Sequence, residues 1–424
     1  MHKIAQSIYH LIRLMRSQWL SPTKIEEIQR RKLKSLLRHA YENVDYYRQL
    51  FDSAGVKPGE VKDREDLLRI PVTTKKRLQS LPIEKITVKG LKLEECTKLK
   101  TSGSTGIPLD IIVREEDLRF RGAVFRRILL AHGCRLRDKT VQNTHYPLRF
   151  PRHWYQCLGI RRGYRISPFS EIDDQIDQLR RRNPDIISSV PATLMAIAKA
   201  VKERGANGIS PRIILSGGEI LTPQAREFIN TTFRTTTIDL YNSFEFGNIS
   251  WECKQQAGHH INADGLIVEV IRDGREALPG ERGEIVITAL SAYTMPFIRY
   301  KIGDIGVLSG RRCPCGRGLP LLERIEGRTI DAIKLPDGRR VTAYAIETTL
   351  TSIPGISQFR VVQEEKNEFW VYLVKGENFC LTTPEHVERE LRNILGDPIA
   401  LHIQVVDELS LDPSGKLRAV ISKV

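Results

Sequence analysis

The stretch Ile213-Ile214-Leu215-Ser216-Gly217-Gly218-Glu219 decides the class of this chain. Three large apolar residues run into a small-residue turn, which reads as a short buried strand ending with its backbone exposed. A helix is expected from Pro223 to Phe233 and a further strand from Thr237 to Leu240. Upstream the alternation is the same: a helix from Ile172 to Arg182 halted by Pro184, a strand from Ile186 to Ser189, and a helix from Pro191 to Gly205. This rhythm specifies a parallel sheet covered by helices, with ligands at the carboxyl ends of its strands. From Gly265 the rhythm changes. Leu266 to Ile271 and Glu284 to Leu290 alternate as antiparallel strands do, with turns at Arg272-Asp273-Gly274 and Pro279-Gly280. A boundary falls near Gly327-Arg328. Strands follow at Phe359 to Gln363, Phe369 to Val374 and Leu401 to Val406, with a helix from His386 to Leu395. The expected fold class is α/β. A large N-terminal domain, residues 1–327, holds helix-covered, mainly parallel sheets plus an antiparallel subdomain. Residues 328–424 make a small α+β domain.

Bulk properties exclude several classes. With 41% hydrophobic and 28% charged residues in 424, the chain is that of a globular protein. The net charge of +15 suits a solvated basic surface, and also attraction for nucleotides or other anions. No arginine-rich tail or nucleic-acid module is present, so nucleic acid is not an expected partner. Seven cysteines in so long a chain are not a secreted disulfide framework. No apolar run nears the ~20 residues of a membrane span. The first twenty residues place Ile4, Ile8, Leu11, Ile12, Met15 and Trp19 at helical spacing, interrupted by His10, Arg13 and Arg16, which is not a signal peptide. That helix packs on its own protein or, by its basic face, makes peripheral membrane contact. A cytoplasmic location is the default expectation. Thr23 and Glu26 suggest a capping box for a helix burying Ile25, Ile28, Leu33, Leu36, Leu37, Ala40, Tyr41 and Val44, which the tyrosine-rich run from Asn43 to Phe51 ends. A second helical stretch is expected from Asp66 to about Leu81. In the helix expected from Glu115 to His132, Arg119, Arg121, Arg126 and Arg127 read as a solvated face. Cys96, Cys134, Cys157 and Cys380 read as buried small apolar residues.

Six stretches, the end of the opening one among them, carry chemistry. Lys100-Thr101-Ser102-Gly103-Ser104-Thr105-Gly106-Ile107-Pro108 packs glycines and hydroxyls between two apolar runs. Backbone N–H groups and hydroxyls there can wrap a polyphosphate, although the Walker A spacing is absent. Ser216-Gly217-Gly218-Glu219 offers backbone for a planar base to lie on. Tyr241-Asn242-Ser243-Phe244-Glu245 supplies an aromatic face and a carboxylate. Arg299-Tyr300-Lys301-Ile302-Gly303-Asp304 puts an acid on a turn. Arg324-Ile325-Glu326-Gly327-Arg328 lies at the boundary, and Asp412-Pro413-Ser414-Gly415-Lys416-Leu417-Arg418 carries a lysine near the C-terminus. Each alone is a common turn.

In this order the set resembles the adenylate-forming acyl-CoA synthetase superfamily, and within it the phenylacetate–CoA ligase and CapK capsule-biosynthesis group. The likeness extends to Leu37-Arg38-His39-Ala40-Tyr41-Glu42-Asn43-Val44-Asp45-Tyr46-Tyr47 and Ile70-Pro71-Val72-Thr73-Thr74-Lys75. The resemblance implies that Thr101, Ser102, Gly103, Ser104, Thr105 and Gly106 hold the ATP β- and γ-phosphates. It implies that Gly217, Gly218 and Glu219 flank adenine and that Tyr241 stacks on it, with Asn242 and Ser243 alongside. Glu245 matches the magnesium-binding acid, Asp304 and Arg328 the ribose-binding pair, and Lys416 the catalytic lysine. Residues near Ile330-Asp331 match the hinge of a mobile C-terminal domain. Two departures stand out. Pro108 is followed by Leu109 where the superfamily often has lysine, and Ile330 stands at the usual acidic hinge position. The implied activity joins a small-molecule carboxylic acid to CoA or another acyl acceptor. An adenylyl transferase, an acid–amine ligase and a non-catalytic nucleotide-binding assembly protein are the alternatives; Glu245, Asp304 and Lys416 argue against the last. The acid, the acceptor and the oligomeric state are not legible.

Cys253, His260, Cys313 and Cys315 have the donor types of a closed, tetrahedral, structural zinc site, with His259 an adjacent alternative. Pro314, Gly316 and Gly318 make the Cys313–Cys315 segment a turn, and some relatives in the group carry a similar set. The competing readings are reduced, unliganded cysteines, or a Cys313 and Cys315 that are simply exposed.

Overall fold

The computed structural model describes residues 2–101, 108–143, 156, 158–160, 162–205, 208–329, 332–412 and 417–424. They fall into two compact units, Met1–Gly133 with Leu240–Arg324, and Cys134–Asp239 with Ile325–Val424.

In the first unit the helix Pro22–Asn43 buries Ile25, Leu33, Leu36, Leu37 and Ala40 of the row its periodicity predicts, whereas Ile28 and Tyr41, at the margins of that row, are only half-buried. Its cap lies two residues before the expected one. Ser21 Oγ accepts from Lys24 N at 3.4 Å, and Pro22 takes the first turn, where a missing N–H costs nothing. The tyrosine-rich run does not simply end the helix. Val44 breaks it in an extended conformation and a new helix, Asp45–Ser53, buries Tyr46, Tyr47 and Phe51. Tyr47 Oη donates to Pro296 O at 2.9 Å and accepts from Ile298 N at 3.0 Å.

The helix expected from Asp66 to Leu81 is not formed as one element. A 3-10 turn at Asp66–Arg69 leads past Pro71 into a two-residue strand, Thr73–Thr74, and a short helix, Lys75–Gln79. Pro71 biases Ile70 to extended backbone. Two longer-range ties then hold the segment open. Thr73 and Thr74 pair in parallel with Tyr300 and Lys301. The buried Arg299, paired with Glu269, donates to Ile70 O at 2.6 Å.

The antiparallel section runs Arg275–Glu276, Leu266–Arg272, Arg282–Ala289, Tyr300–Leu308, Leu321–Arg328, His259–Ile261, Gly247–Glu252, Thr237–Ser243 in spatial order. Leu266–Arg272 pairs with Arg282–Ala289 as the alternation predicts. Beside it lies the helix Glu115–Ala131. None of its four expected surface arginines is exposed, and Arg127 is 0% accessible. Arg127 falls on the buried row Ala123, Val124, Ile128, where helical spacing faces it inward. Its guanidinium meets Asp264 and Asn262, with Nη2 3.1 Å from Asp264 Oδ1. Ser17 Oγ also donates to Asp264.

His132, buried at the end of this helix, has its Nε2 2.9 Å from Glu252 O. Burial pulls its pKa down to about 4. The unfolded imidazole takes up a proton below about pH 6.5, whereas the folded one resists until about pH 4, so stability falls with falling pH across that window by about 3 kcal/mol in full. In His132→Gln, which keeps a donor and does not titrate, the urea midpoint should fall less steeply between those pH values than in the parent. An unchanged slope would remove His132 from the account.

In the second unit, Gly163–Ile166, Thr140–Asn143, Ile186–Ser189 and Ile213–Gly217 pair in parallel in that order. Helices Ile172–Arg182, Pro191–Glu203 and Pro223–Phe233 cover them, burying Ile176, Leu179, Leu194, Ile197 and Ile229 against Val141, Ile187 and Ile214. The C-terminal part is a four-stranded sheet, in order Ala400–Val406, Glu368–Lys375, Ile356–Glu365, Val420–Ser422, with helices Ala343–Thr351 and Thr383–Leu395. The fold is thus α/β, with parallel and antiparallel sections and a small C-terminal α+β domain. Among the loose cysteines, Cys96 and Cys134 are half-buried and Cys380 exposed, so burial is not their common role; Cys157 is outside the described residues.

Candidate active site and metal centre

The hydroxyl- and glycine-rich stretch closes an antiparallel pair, Thr97–Lys100 with Asp110–Val113. Thr101 seals its base. Thr101 N donates to Leu109 O at 3.1 Å, and Thr101 Oγ1 accepts from Leu109 N at 2.9 Å. Ser102, Gly103, Ser104, Thr105 and Gly106 lie outside the described residues, as do Ile330, Asp331 and Lys416.

Three of the predicted site residues come together within the first unit. Tyr241 lies near the end of the strand Thr237–Ser243, at a register shift between Tyr241 and Asn242 against its partner strand. Glu245 follows on the turn into Gly247–Glu252. Gly247 adopts φ +69, a left-handed conformation that favours glycine, and the stem of Arg121 lies over its Cα. Asp304 sits in the strand Tyr300–Leu308, after Gly303 at φ +91. Pairing with Arg282–Ala289 slips here: Glu284 faces Ile305, but Val286 faces Lys301. Residues 302–304 bulge out of the ladder, a device that re-aims side chains at strand ends.

Two cross-links join the hairpin to the bulged strand. Tyr241 Oη donates to Asp304 Oδ2 at 2.6 Å. Tyr300 Oη donates to Glu245 Oε1 at 3.2 Å. Burial, reinforced by the neighbouring Glu245 carboxylate, pushes the Tyr300 phenol well above its usual pKa, so it remains a donor. Arg121 fixes the turn from below, donating to Phe244 O at 2.7 Å and Glu245 O at 2.6 Å. Phe246 packs on Phe297 and Tyr300, with ring centroids 5.4 and 5.9 Å apart. Sequence reading assigned no role to Tyr300 and put Arg121 on the solvated face. Helical spacing gives no signal for a side chain whose partners are carbonyls on another element.

Within the second unit, Gly217 closes its strand and Gly218 turns at φ +88. The Glu219 carboxylate accepts from Ala192 N, at the start of a helix, at 3.0 Å and from Leu417 N at 3.2 Å. An acid at a helix N-terminus is favoured by the orphan N–H groups there. Glu219 thus anchors the residue next to Lys416. Arg328 ends its strand beside Gly327, at φ +88, where a Cβ would stand 3.0 Å from Ile220.

The four candidate metal ligands converge. One donor atom each of Cys253, His260, Cys313 and Cys315 lies within 4.8 Å of all the others. Cys253 Sγ is 3.5 Å from Cys313 Sγ, and Cys315 Sγ is 3.3 Å from His260 Nε2. These separations are far beyond a disulfide and near the about 3.8 Å between thiolates on one tetrahedral zinc. His260, not His259, joins the sulfurs, because adjacent residues of the strand His259–Ile261 point to opposite faces. The loop from Cys313 also packs on the N-terminal segment. Gly318 N donates to Gln18 O, and a Cβ on Gly318 would fall 1.8 Å from Leu20 O, so only glycine fits.

Comparison with known proteins agrees with this architecture. Residues 333–423 match the family model of the CapK C-terminal domain. The phenylacetate–coenzyme A ligase of Thermus thermophilus is 29% identical over 349 residues, 78% of this chain and 76% of the relative. Protein CapK of Staphylococcus aureus is 21% identical over 418 residues, 94% of this chain and 89% of the relative. A crystal structure of 2-hydroxyisobutyryl-CoA ligase in the postadenylation state has a TM-score of 0.82 at 20% identity, covering 96% of this chain and 91% of that one. The fold is that of the adenylate-forming ligases. Within that class the chain is a homologue of the phenylacetate–coenzyme A ligases and of CapK.

Proposed function

We propose that the protein is an AMP-forming ligase that activates a carboxylic acid as its adenylate and passes the acyl group to coenzyme A. The observation that carries this reading is the reciprocal cross-linking of Tyr241 to Asp304 and of Tyr300 to Glu245. It brings together an aromatic ring and a carboxylate on two strands with a second carboxylate on the hairpin turn, the kind of braced set that a nucleotide with its cation requires.

On this reading a substrate carboxylate oxygen bonds to the α-phosphorus of ATP while the bond to the bridging oxygen breaks and pyrophosphate leaves. The thiol of coenzyme A, losing its proton, then attacks the acyl carbon and AMP departs. The chain contributes mainly position and charge. Thr101 to Gly106 hold the β- and γ-phosphates. Gly217, Gly218 and Glu219 flank the adenine, and Tyr241 stacks on it with Asn242 and Ser243 beside. Asp304 and Arg328 hold the ribose, and Lys416 neutralises charge in adenylation. Glu245 would hold magnesium, which supplies charge neutralisation of the leaving pyrophosphate. Residues 328–424 act as a mobile domain against 1–327, pivoting near Ile330-Asp331.

The test is acid-dependent exchange of labelled pyrophosphate into ATP, surveyed over aromatic and aliphatic acids. Exchange with at least one acid is expected; none across the panel would favour a nucleotide-binding assembly protein. The likeness to CapK over most of the chain favours one second reading, transfer to an amine or hydroxyl acceptor in polysaccharide assembly. Comparing coenzyme A with such acceptors after adenylation separates the two.

The Cys253, His260, Cys313, Cys315 set fits a structural zinc, since four protein donors leave no open position. Purified protein should carry about one zinc per chain. Cys315→Ser should lose it and lower the melting temperature. A metal analysis well below one zinc per chain in the parent would dispose of the site.

A further inference from the structure

We propose that the N-terminal helix, His2–Ser17, docks the protein on an anionic lipid surface. One face of the helix is used internally. Leu14 is buried, its carbonyl accepts from Arg127 Nη1, Ser17 bonds Asp264, and the His10 ring meets Phe120 edge-on at 5.6 Å. The opposite face is apolar and uncovered. Ile4, Ile8 and Ile12 recur every fourth residue, one row along the helix, and are 67%, 51% and 47% exposed. Tyr9 beside them is 54% exposed, and Trp19, just past the helix end, 52%. Large apolar side chains scattered singly over a surface need no explanation; an aligned row does.

The charge around this row identifies its partner. Residues 1–25 contain Lys3, Arg13, Arg16 and Lys24, and no aspartate or glutamate precedes Glu26; Lys3 is paired with Glu115 of the neighbouring helix at 2.7 Å, which leaves the two arginines and Lys24 as the cations of the segment. Two arginines, one of them from outside the segment, sit against the aromatic edges of the row. Arg13 lies over the Tyr9 ring, 5.4 Å from its centroid, and donates to Tyr9 Oη at 2.9 Å. Arg317 lies over Trp19 at 4.6 Å. Isoleucines that can enter the acyl boundary, aromatic rings at headgroup depth and arginines at phosphate level are the layering of an interfacial helix. A second copy of the chain is a poorer occupant. A two-fold contact would set the same arginines against each other with no acidic residue of the segment to pair them. None of the described helices is long and apolar enough to cross a membrane, so the helix would lie on the surface.

The test is cosedimentation of the full-length protein with vesicles of phosphatidylcholine alone and of phosphatidylcholine with phosphatidylglycerol. Binding is expected only to the second, weakening as salt is raised. Ile8→Glu/Ile12→Glu should lower the bound-to-free ratio at least about tenfold, and Arg13→Ser/Arg16→Ser severalfold, because each removes one layer of the contact. These side chains are exposed, so both variants should keep the parent's melting temperature. No binding of the parent to anionic vesicles, or binding undiminished in Ile8→Glu/Ile12→Glu, would overturn the proposal. So would a parent dimer in sedimentation velocity that this variant converts to monomer, since a second copy would then cover the face.

Discussion

Asp304→Ala should lower acid-dependent ATP–pyrophosphate exchange by about 10²- to 10⁴-fold, since two hydrogen bonds from ribose hydroxyls to a carboxylate contribute about 1.5–3 kcal/mol each. The bulge at 302–304 positions this side chain and Tyr241 Oη braces it. Tyr241→Phe removes only the brace and keeps the ring, so its loss should be near tenfold, one neutral donor's contribution to a charged acceptor. The order of the two effects is the informative readout. If Tyr241→Phe equalled Asp304→Ala, the hydroxyl rather than the carboxylate would be the main nucleotide contact. Asp304→Ala should also slow acyl transfer from a preformed adenylate, because in its proposed role Asp304 holds the ribose through both half-reactions. Lys416→Ala should abolish exchange and spare that transfer. Equal loss of both activities in Lys416→Ala would contradict its proposed role.

The largest stability effect is expected at Arg127. Arg127→Met leaves Asp264 buried without its cation and should cost about 3–5 kcal/mol, read as a shift of the denaturant midpoint. Burial by itself would push the Asp264 carboxyl up, but the guanidinium outweighs this and holds it below the usual carboxylate range. Ser17, at the end of the N-terminal helix, donates to the same carboxylate, and Lys32, on the helix Pro22–Asn43, to the Asp264 carbonyl, so both helices should loosen with the core. The double variant Arg127→Met/Asp264→Leu should be less destabilised than Arg127→Met alone, because no unpaired charge remains inside. Additive losses would instead mean that the two residues act separately.

Much of the fold was legible from local pattern. Ile172–Arg182, Ile186–Ser189 and Pro223–Phe233 form with the expected bounds, since helix periodicity, a following proline and short apolar runs are local signals. Asp66–Leu81 was misread because its conformation is set by partners more than two hundred residues away, the Arg299 guanidinium and the Tyr300 backbone. Thr140–Asn143 and Gly163–Ile166 gave no pattern of their own and become strands by pairing with each other.

The sequence by itself determined the parts: the hydroxyl- and glycine-rich stretch, the strand-ending Ser216–Glu219, the acids Glu245 and Asp304, and three cysteines and a histidine. Those are statements about residue type and turn chemistry, which are written locally. Only the tertiary structure decided what each part touches. It placed Tyr241 on Asp304 and Tyr300 on Glu245, chose His260 over His259, and turned two supposed surface arginines into a buried counter-ion and a backbone clamp. Such choices depend on which strands pair and where a register slips, and no local pattern carries the position of a partner fifty or more residues away.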